Sequence, residues 1–341
     1  MKRYLVALLF LVTVACQAPP VPKADSKTTT FQGSAMTIAY KVMVGKKLDA
    51  AQQKHVSSII NQTFNETDVV FNRYNPLSEI SRINKMPADQ EALLSPNLEK
   101  LLKISNELFQ LTEGRFDPTV LPLVLLWGDK LDKGQTPTAE EIAAVEPAVG
   151  WDKIHFKEGI IFKDDSRTAL DLGGVAKGYC VDLITERLHA AGFTDVYVEW
   201  GGEIRAAGHH PDDRDWVVAL SALGNPTKMA ATIPLYNKAV ATSGDYLQYW
   251  EVDNGPGKEP SIYFHVINPR THRPMEVLPH SVASATVIAE TCAMADGLAT
   301  AAMIFSDASA AEAWAKQVQK KIPHLTFWMI SREEHEMENL D

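Results

Sequence analysis

The chain has 341 residues, 45% of them hydrophobic and 22% charged, with 33 Lys plus Arg against 43 Asp plus Glu and a net charge of −10. That is the balance of a globular enzyme with one large domain or two ordinary ones, and it excludes a disordered chain, a collagen-like repeat and a multi-span membrane protein. So acidic a chain does not bind nucleic acid over its whole surface, and any anion it takes needs a local cradle or a metal.

Lys2 and Arg3 precede the mostly apolar run 4–15, which is far short of the roughly 20 residues that span a bilayer. The run ends in Thr13-Val14-Ala15-Cys16, which looks like a bacterial lipoprotein cleavage box with Thr13 where Leu is more usual. An ordinary signal peptide with an incidental cysteine is the alternative. The expectation is a signal peptide over 1–15, a lipidated Cys16, and a tether over 16–30 that contains Pro19, Pro20 and Pro22. The globular part would then be lipid-anchored in a bacterial envelope and face the periplasm; Gln17 after the cysteine favours the outer membrane. Cys180 and Cys292, the other two cysteines, are too few for a disulfide framework.

The spacing predicts a strand over 35–44 and a long helix over 48–71 with Val56, Ile59, Ile60 and Phe64 on one side. Ser95-Pro96 caps a helix carrying Leu98, Leu101, Leu102, Ser105 and Leu108, and Gly114 stops it. Thr138 to Glu141 is a capping box, and 155–163 reads as a hairpin around Glu158-Gly159. A helix is expected over 174–191. Strands are expected over 195–200, 216–220, 239–242, 262–267 and 282–289, then helices over 293–305 and 308–318 and a last strand over 325–330. Without strict βαβ alternation this is an α+β fold, with mixed, largely antiparallel sheets covered by helices, and 31–341 is one catalytic unit.

Four constellations carry chemistry. In Asp171-Leu-Gly-Gly-Val-Ala-Lys-Gly-Tyr179 a short strand runs into paired glycines and a helix bearing Lys177, so backbone N–H groups, the helix dipole and an ammonium favour an anion. A Gly-Gly turn with a surface lysine reads the same way. No Walker A or GxGxxG motif occurs. Asp296 and Thr300 lie at i and i+4, where carboxylate and hydroxyl share a helix face and suit Mg²⁺ beside a diphosphate; a first-turn Asp with a back-bonding Thr is the alternative. Arg115-Phe-Asp-Pro-Thr119 forms a turn in which Phe116 could flank a flat ring, or a plain connection. His265-Val-Ile-Asn-Pro-Arg270 is a strand end entering a turn, with His265 either functional or a satisfied core histidine.

In this order, together with Gly33-Ser-Ala-Met36, Asn72-Arg-Tyr74, Ser78 to Asn84, Gly201-Gly202 and Ser243-Gly-Asp-Tyr246, these motifs make the chain resemble the ApbE family of FAD:protein FMN transferases over 31–330. Asn268 stands where the family commonly has Asp, and His272 where it commonly has Gly. The resemblance implies transfer of the FMN half of FAD to a Thr or Ser of a target protein through a phosphoester, with Mg²⁺ and release of AMP. It implies that Met36, Tyr74, Arg115, Phe116, Asp117, Asp171, Lys177 and Ile267 line the FAD site, and that Gly174, Asp296, Ala299 and Thr300 hold Mg²⁺. His265 becomes the candidate for activating the acceptor hydroxyl, beside Lys177 and Asp296 as catalytic groups. Expected acceptors are subunits of membrane redox pumps and extracytoplasmic reductases. A Mg²⁺-dependent FAD pyrophosphatase and a non-catalytic flavin-binding lipoprotein are the rival readings.

Overall fold

The computed structural model describes residues 27–223, 225–246 and 248–332; the expected leader 1–15, Cys16 and the tether up to residue 26 lie outside the described residues. The folded part begins earlier than the expected boundary at 31, because Thr28 is buried and the first strand is Thr29–Ala35. Instead of one strand over 35–44 there is a hairpin, Thr29–Ala35 against Ile38–Val44. Its turn residues Met36 and Thr37 have φ of 48° and 68°. Neither residue type signals a left-handed turn, so the sequence reads straight through it.

The hairpin opens a seven-stranded antiparallel sheet that continues with Val196–Trp200, Glu203–Ala207, Lys238–Gly244, Val282–Ala289 and Thr326–Ser331. Alternation sorts its two faces. Val196, Val198, Trp200 and Ala239 pack with Val56, Ile60 and Phe64 of helix Ala50–Phe71 and with Val181, Ile184 and Leu188 of helix Ala176–Ala190. The intervening Tyr197 and Val240 meet Trp216, Val218 and Leu235 of a separate hairpin, Trp216–Ala222 with Asn225–Leu235, on the other face. The fold is therefore α+β with antiparallel sheets, as expected.

The capped helices follow the sequence reading. Ser95 Oγ accepts from Leu98 N–H, and Pro96–Leu111 buries Leu98, Leu101, Leu102, Ser105 and Leu108. Ala139–Val145 carries the Thr138/Glu141 box, and the hairpin Ile154–Lys157 with Ile160–Lys163 turns at Glu158-Gly159. Two helices were not expected, Glu79–Asn84 and Leu121–Leu131. The second is apolar almost all round, which hides its period; Leu123, Trp127 and Leu131 pack on Val252 and Ile267. These last two belong to a three-stranded sheet, Tyr249–Val252, Ser261–Asn268 and Arg273–Glu276, whose central strand alone was expected. Among the described residues no helix is long and apolar enough to cross a membrane.

Candidate active site

Helices Ala176–Ala190 and Cys292–Ala302 meet at an unusually close junction. A Cβ on Gly178 would collide with the carbonyl of Cys292, so only glycine lets the two backbones touch there. Asp182, one turn further along, accepts from Cys292 N–H (2.8 Å) and Ala293 N–H (2.9 Å) and from the Arg205 guanidinium (2.8 Å). It thus caps the second helix from the first. Burial pushes the Asp182 carboxyl up to about 6, against the pull of Arg205 and the two amides. Cys180 and Cys292 are buried free thiols in the same core, and burial raises both, so they act as small apolar residues rather than nucleophiles.

The junction brings the two strongest motifs together. Gly178 N–H donates to Asp296 Oδ2 at 3.1 Å, and a Cβ on Gly174 would lie 2.9 Å from the Thr300 hydroxyl. Lys177, next to Gly178, forms an ion pair with Glu203, the residue that follows the Gly201-Gly202 turn. Lys177 is therefore not a free surface cation. Burial opposes its ammonium, but the Glu203 and Asp296 carboxylates outweigh that penalty and set its pKa above the ordinary lysine value. Burial raises Asp296 and Glu203, with Lys177 pulling both down.

This cluster lines an open cavity of about 1310 Å³, above the usual range of about 300–1,000 Å³ for a small-molecule site. A second, more open depression of about 720 Å³ beside Trp151, His155 and Phe162 holds none of the expected residues. The large cavity brings Met36, Tyr74, Arg115, Phe116, Asp117, Asp171, Gly174, Lys177, His265, Ile267, Asp296 and Thr300 to one wall or another. Ala299 is fully buried behind Thr300 and does not reach the lining.

The rest of the lining comes from loops and the small sheet. Tyr74 stands 78% exposed at the rim with the Arg73 guanidinium over its ring, 4.2 Å from the centroid. Arg73 Nε also reaches Asp171 at 3.2 Å, and the other Asp171 oxygen accepts from Gly173 N–H, so Asp171 is engaged within the protein rather than held open for a ligand. Asp117 likewise spends one oxygen on the Thr119 amide and hydroxyl, locking the Asp-Pro-Thr turn. Arg115 lies over the Phe305 ring, 4.9 Å from the centroid, and Phe116 is buried in the core. His265 faces the cavity with its surface open to it. It is nonetheless walled by enough protein that loss of solvent lowers its pKa below the ordinary imidazole value.

The two departures in the following turn keep its shape. Asn268 Oδ1 accepts from Arg270 N–H at 2.9 Å, the bond an aspartate would make, and His272 takes φ 57°, where a glycine is easiest. Sequence reasoning missed Glu203, Arg73 and Asp182. Only Glu203 leaves a trace: a carboxylate directly after a Gly-Gly turn, entering a strand whose other residues are mostly apolar.

A model of the ApbE family matches residues 33–325. A curated FAD:protein FMN transferase of Chlamydia pneumoniae is 35% identical over 319 residues, covering 93% of this chain and 95% of the relative. One from Vibrio cholerae serotype O1 is 31% identical over 311 residues, covering 90% and 89%. The apo crystal structure of the Pseudomonas stutzeri flavinyl transferase ApbE superposes with a TM-score of 0.78 at 28% identity, over 90% of this chain and 92% of that one. A solved flavin transferase ApbE from Vibrio cholerae gives 0.74 at 28%, over 89% and 94%. With the family model, the relatives and the fold agreeing over nearly the whole length, this chain belongs to the ApbE family.

Proposed function

We propose that this chain is an FAD:protein FMN transferase that moves the FMN half of FAD onto a Thr or Ser hydroxyl of a target protein. The observation that carries this reading is a cavity with two unlike kinds of lining. One is a half-buried Lys177 paired with the buried Glu203, with the buried Asp296 nearby; the other is open and carries the exposed Tyr74. A nucleotide with a diphosphate between two ring systems matches both.

The donor set supports a hard divalent cation. Asp296 offers a buried carboxylate and Thr300 a hydroxyl against Gly174. Among the described residues no group of three His, Cys, Asp or Glu forms a metal cluster, so zinc chemistry finds no ligands. Asp296, Thr300 and the Gly174 carbonyl would hold Mg²⁺, which would neutralise charge on the diphosphate.

Lys177 would meet a phosphoryl oxygen through a charge-assisted hydrogen bond. His265, kept neutral near pH 7 by its surroundings, would take the proton of the acceptor hydroxyl. The hydroxyl oxygen attacks the flavin-side phosphorus, the bond to the bridging oxygen breaks, and AMP leaves. Water in place of the acceptor gives FMN and AMP.

The test is incubation with FAD and Mg²⁺, with and without an acceptor protein. Flavin fluorescence that stays on the acceptor after denaturation is the expected result. Free FMN alone would mean a pyrophosphatase, and no turnover a flavin binder.

The envelope location is a second part of the proposal and rests on the apolar run that ends at Cys16. Cys16→Ser should leave an uncleaved, unlipidated precursor. Normal processing of that variant would refute the anchor without touching the enzyme.

A further inference from the structure

Glu203 is the feature that neither the sequence motifs nor the proposed chemistry uses. Its side chain is 2% exposed. One oxygen pairs with Lys177; the other, Oε2, is buried, has no partner and belongs to a residue that lines the cavity. A buried carboxylate oxygen left without a donor has lost its water with nothing in return, so the arrangement is incomplete as it stands. Its neighbours say what would complete it. Consecutive residues of one helix tie down two carboxylates: Lys177 holds Glu203, and Gly178 N–H holds Asp296. Two carboxylates and one ammonium leave the cluster one unit negative in a buried place. A divalent cation makes it one unit positive, which then suits a diphosphate.

We propose that Glu203 is the second carboxylate of the divalent-cation site, taking the cation through Oε2 directly or through a retained water, and that Lys177 is the counter-ion that stands in for the cation in its absence. This rests on the reading of Asp296 as a cation ligand. Mg²⁺ is commonly held by one or two carboxylates plus waters and substrate phosphate, and this site supplies two. Arrival of the cation would free the Lys177 ammonium from Glu203 and turn it toward the phosphoryl oxygens.

The test measures cation binding alone, without FAD or acceptor, by titrating Mn²⁺ into the full chain and following free Mn²⁺ by electron paramagnetic resonance. Glu203→Gln keeps the shape and removes the charge; it should weaken Mn²⁺ binding about 10- to 100-fold. Lys177→Met should do the opposite and tighten it, because a competing ammonium is gone. Asp296→Asn is the control for the underlying reading and should lose binding. Should Glu203→Gln bind Mn²⁺ as the wild type does while Asp296→Asn does not, Glu203 has no part in the site. If Asp296→Asn also binds normally, the cation site itself is elsewhere and both readings fall. Weaker binding by Lys177→Met would overturn the stand-in role. Circular dichroism melts confirm folding. If Glu203→Gln does not fold, Glu203→Asp takes its place: retained charge on a shorter arm should weaken Mn²⁺ binding measurably, and wild-type affinity would overturn the proposal.

Discussion

Two parts of the cavity lining are built by opposite means. The charged part sits where two helices touch: Gly178 lies against the Cys292 carbonyl, Asp182 caps the second helix, and Asp296 and Glu203 are almost wholly buried. The open part comes from the turn at Met36 and Thr37, an exposed Tyr74 and the small sheet that carries His265. Asp182 has three partners and Lys177 holds the buried Glu203, so in the charged part positions depend on the fold and the fold depends on them. Tyr74 and His265 are exposed and carry little of the core. Function and stability are thus coupled in one part and separable in the other.

That separation can be broken or sharpened by substitution. The largest effect is expected in the open part and on rate alone. His265→Gln should lower transfer about 10²- to 10⁴-fold while the melting temperature stays put. Because burial lowers the imidazole pKa, the wild-type enzyme should keep its activity as pH falls to the ordinary histidine value, about 6.5, and lose it only below, as the ring takes up a proton. A pH profile of kcat/KM with its acid limb above that value would remove His265 as the base.

In the charged part Asp182→Ala touches no ligand, yet it leaves two helix amides without their partner and Arg205 with only its longer contact to Glu186 (3.5 Å). It should cost about 3–5 kcal/mol of stability in urea unfolding. A loss under 1 kcal/mol would mean that the helix junction holds without its cap.

Lys177→Ala tests both sides of the comparison at once. FAD affinity, followed by flavin fluorescence, should fall by about 1.5–3 kcal/mol, with riboflavin, which has no phosphate, much less affected. Stability should fall too, since Glu203 then has no partner. Equal losses for FAD and riboflavin would put the ammonium on the ring system instead.

Thr300→Ala is expected to be milder, about 0.5–1.5 kcal/mol in cation-dependent turnover, because a neutral hydroxyl contributes less than a carboxylate. The smallest change belongs to Tyr74→Ala. Its ring is mostly in solvent, so stability should hold within about 0.5 kcal/mol, with a loss of flavin affinity near 0.5–1 kcal/mol, the size of one aromatic contact. A destabilised Tyr74→Ala protein would show that the open part is not separable after all.

What could be read from the sequence was whatever is encoded within a few residues. Ser95-Pro96 and the Thr138/Glu141 box announce their helices because a cap is a local hydrogen bond, and Glu158-Gly159 announces its hairpin because only certain residues take that turn. Gly174, Lys177, Asp296 and Thr300 were legible because each pair lies on one short segment with its own geometry. The hairpin turn at Met36-Thr37 and the all-apolar helix Leu121–Leu131 were not, since the first lacks turn residues and the second lacks a polar face. Only the tertiary structure could decide that Glu203 meets Lys177, that Arg73 occupies Asp171, and that Asp182 caps the helix bearing Asp296. Those partners lie 26, 98 and 111 positions apart. Whether a charge on this chain is a surface residue or half of a buried pair depends on which distant backbone closes over it, and no local spacing records that.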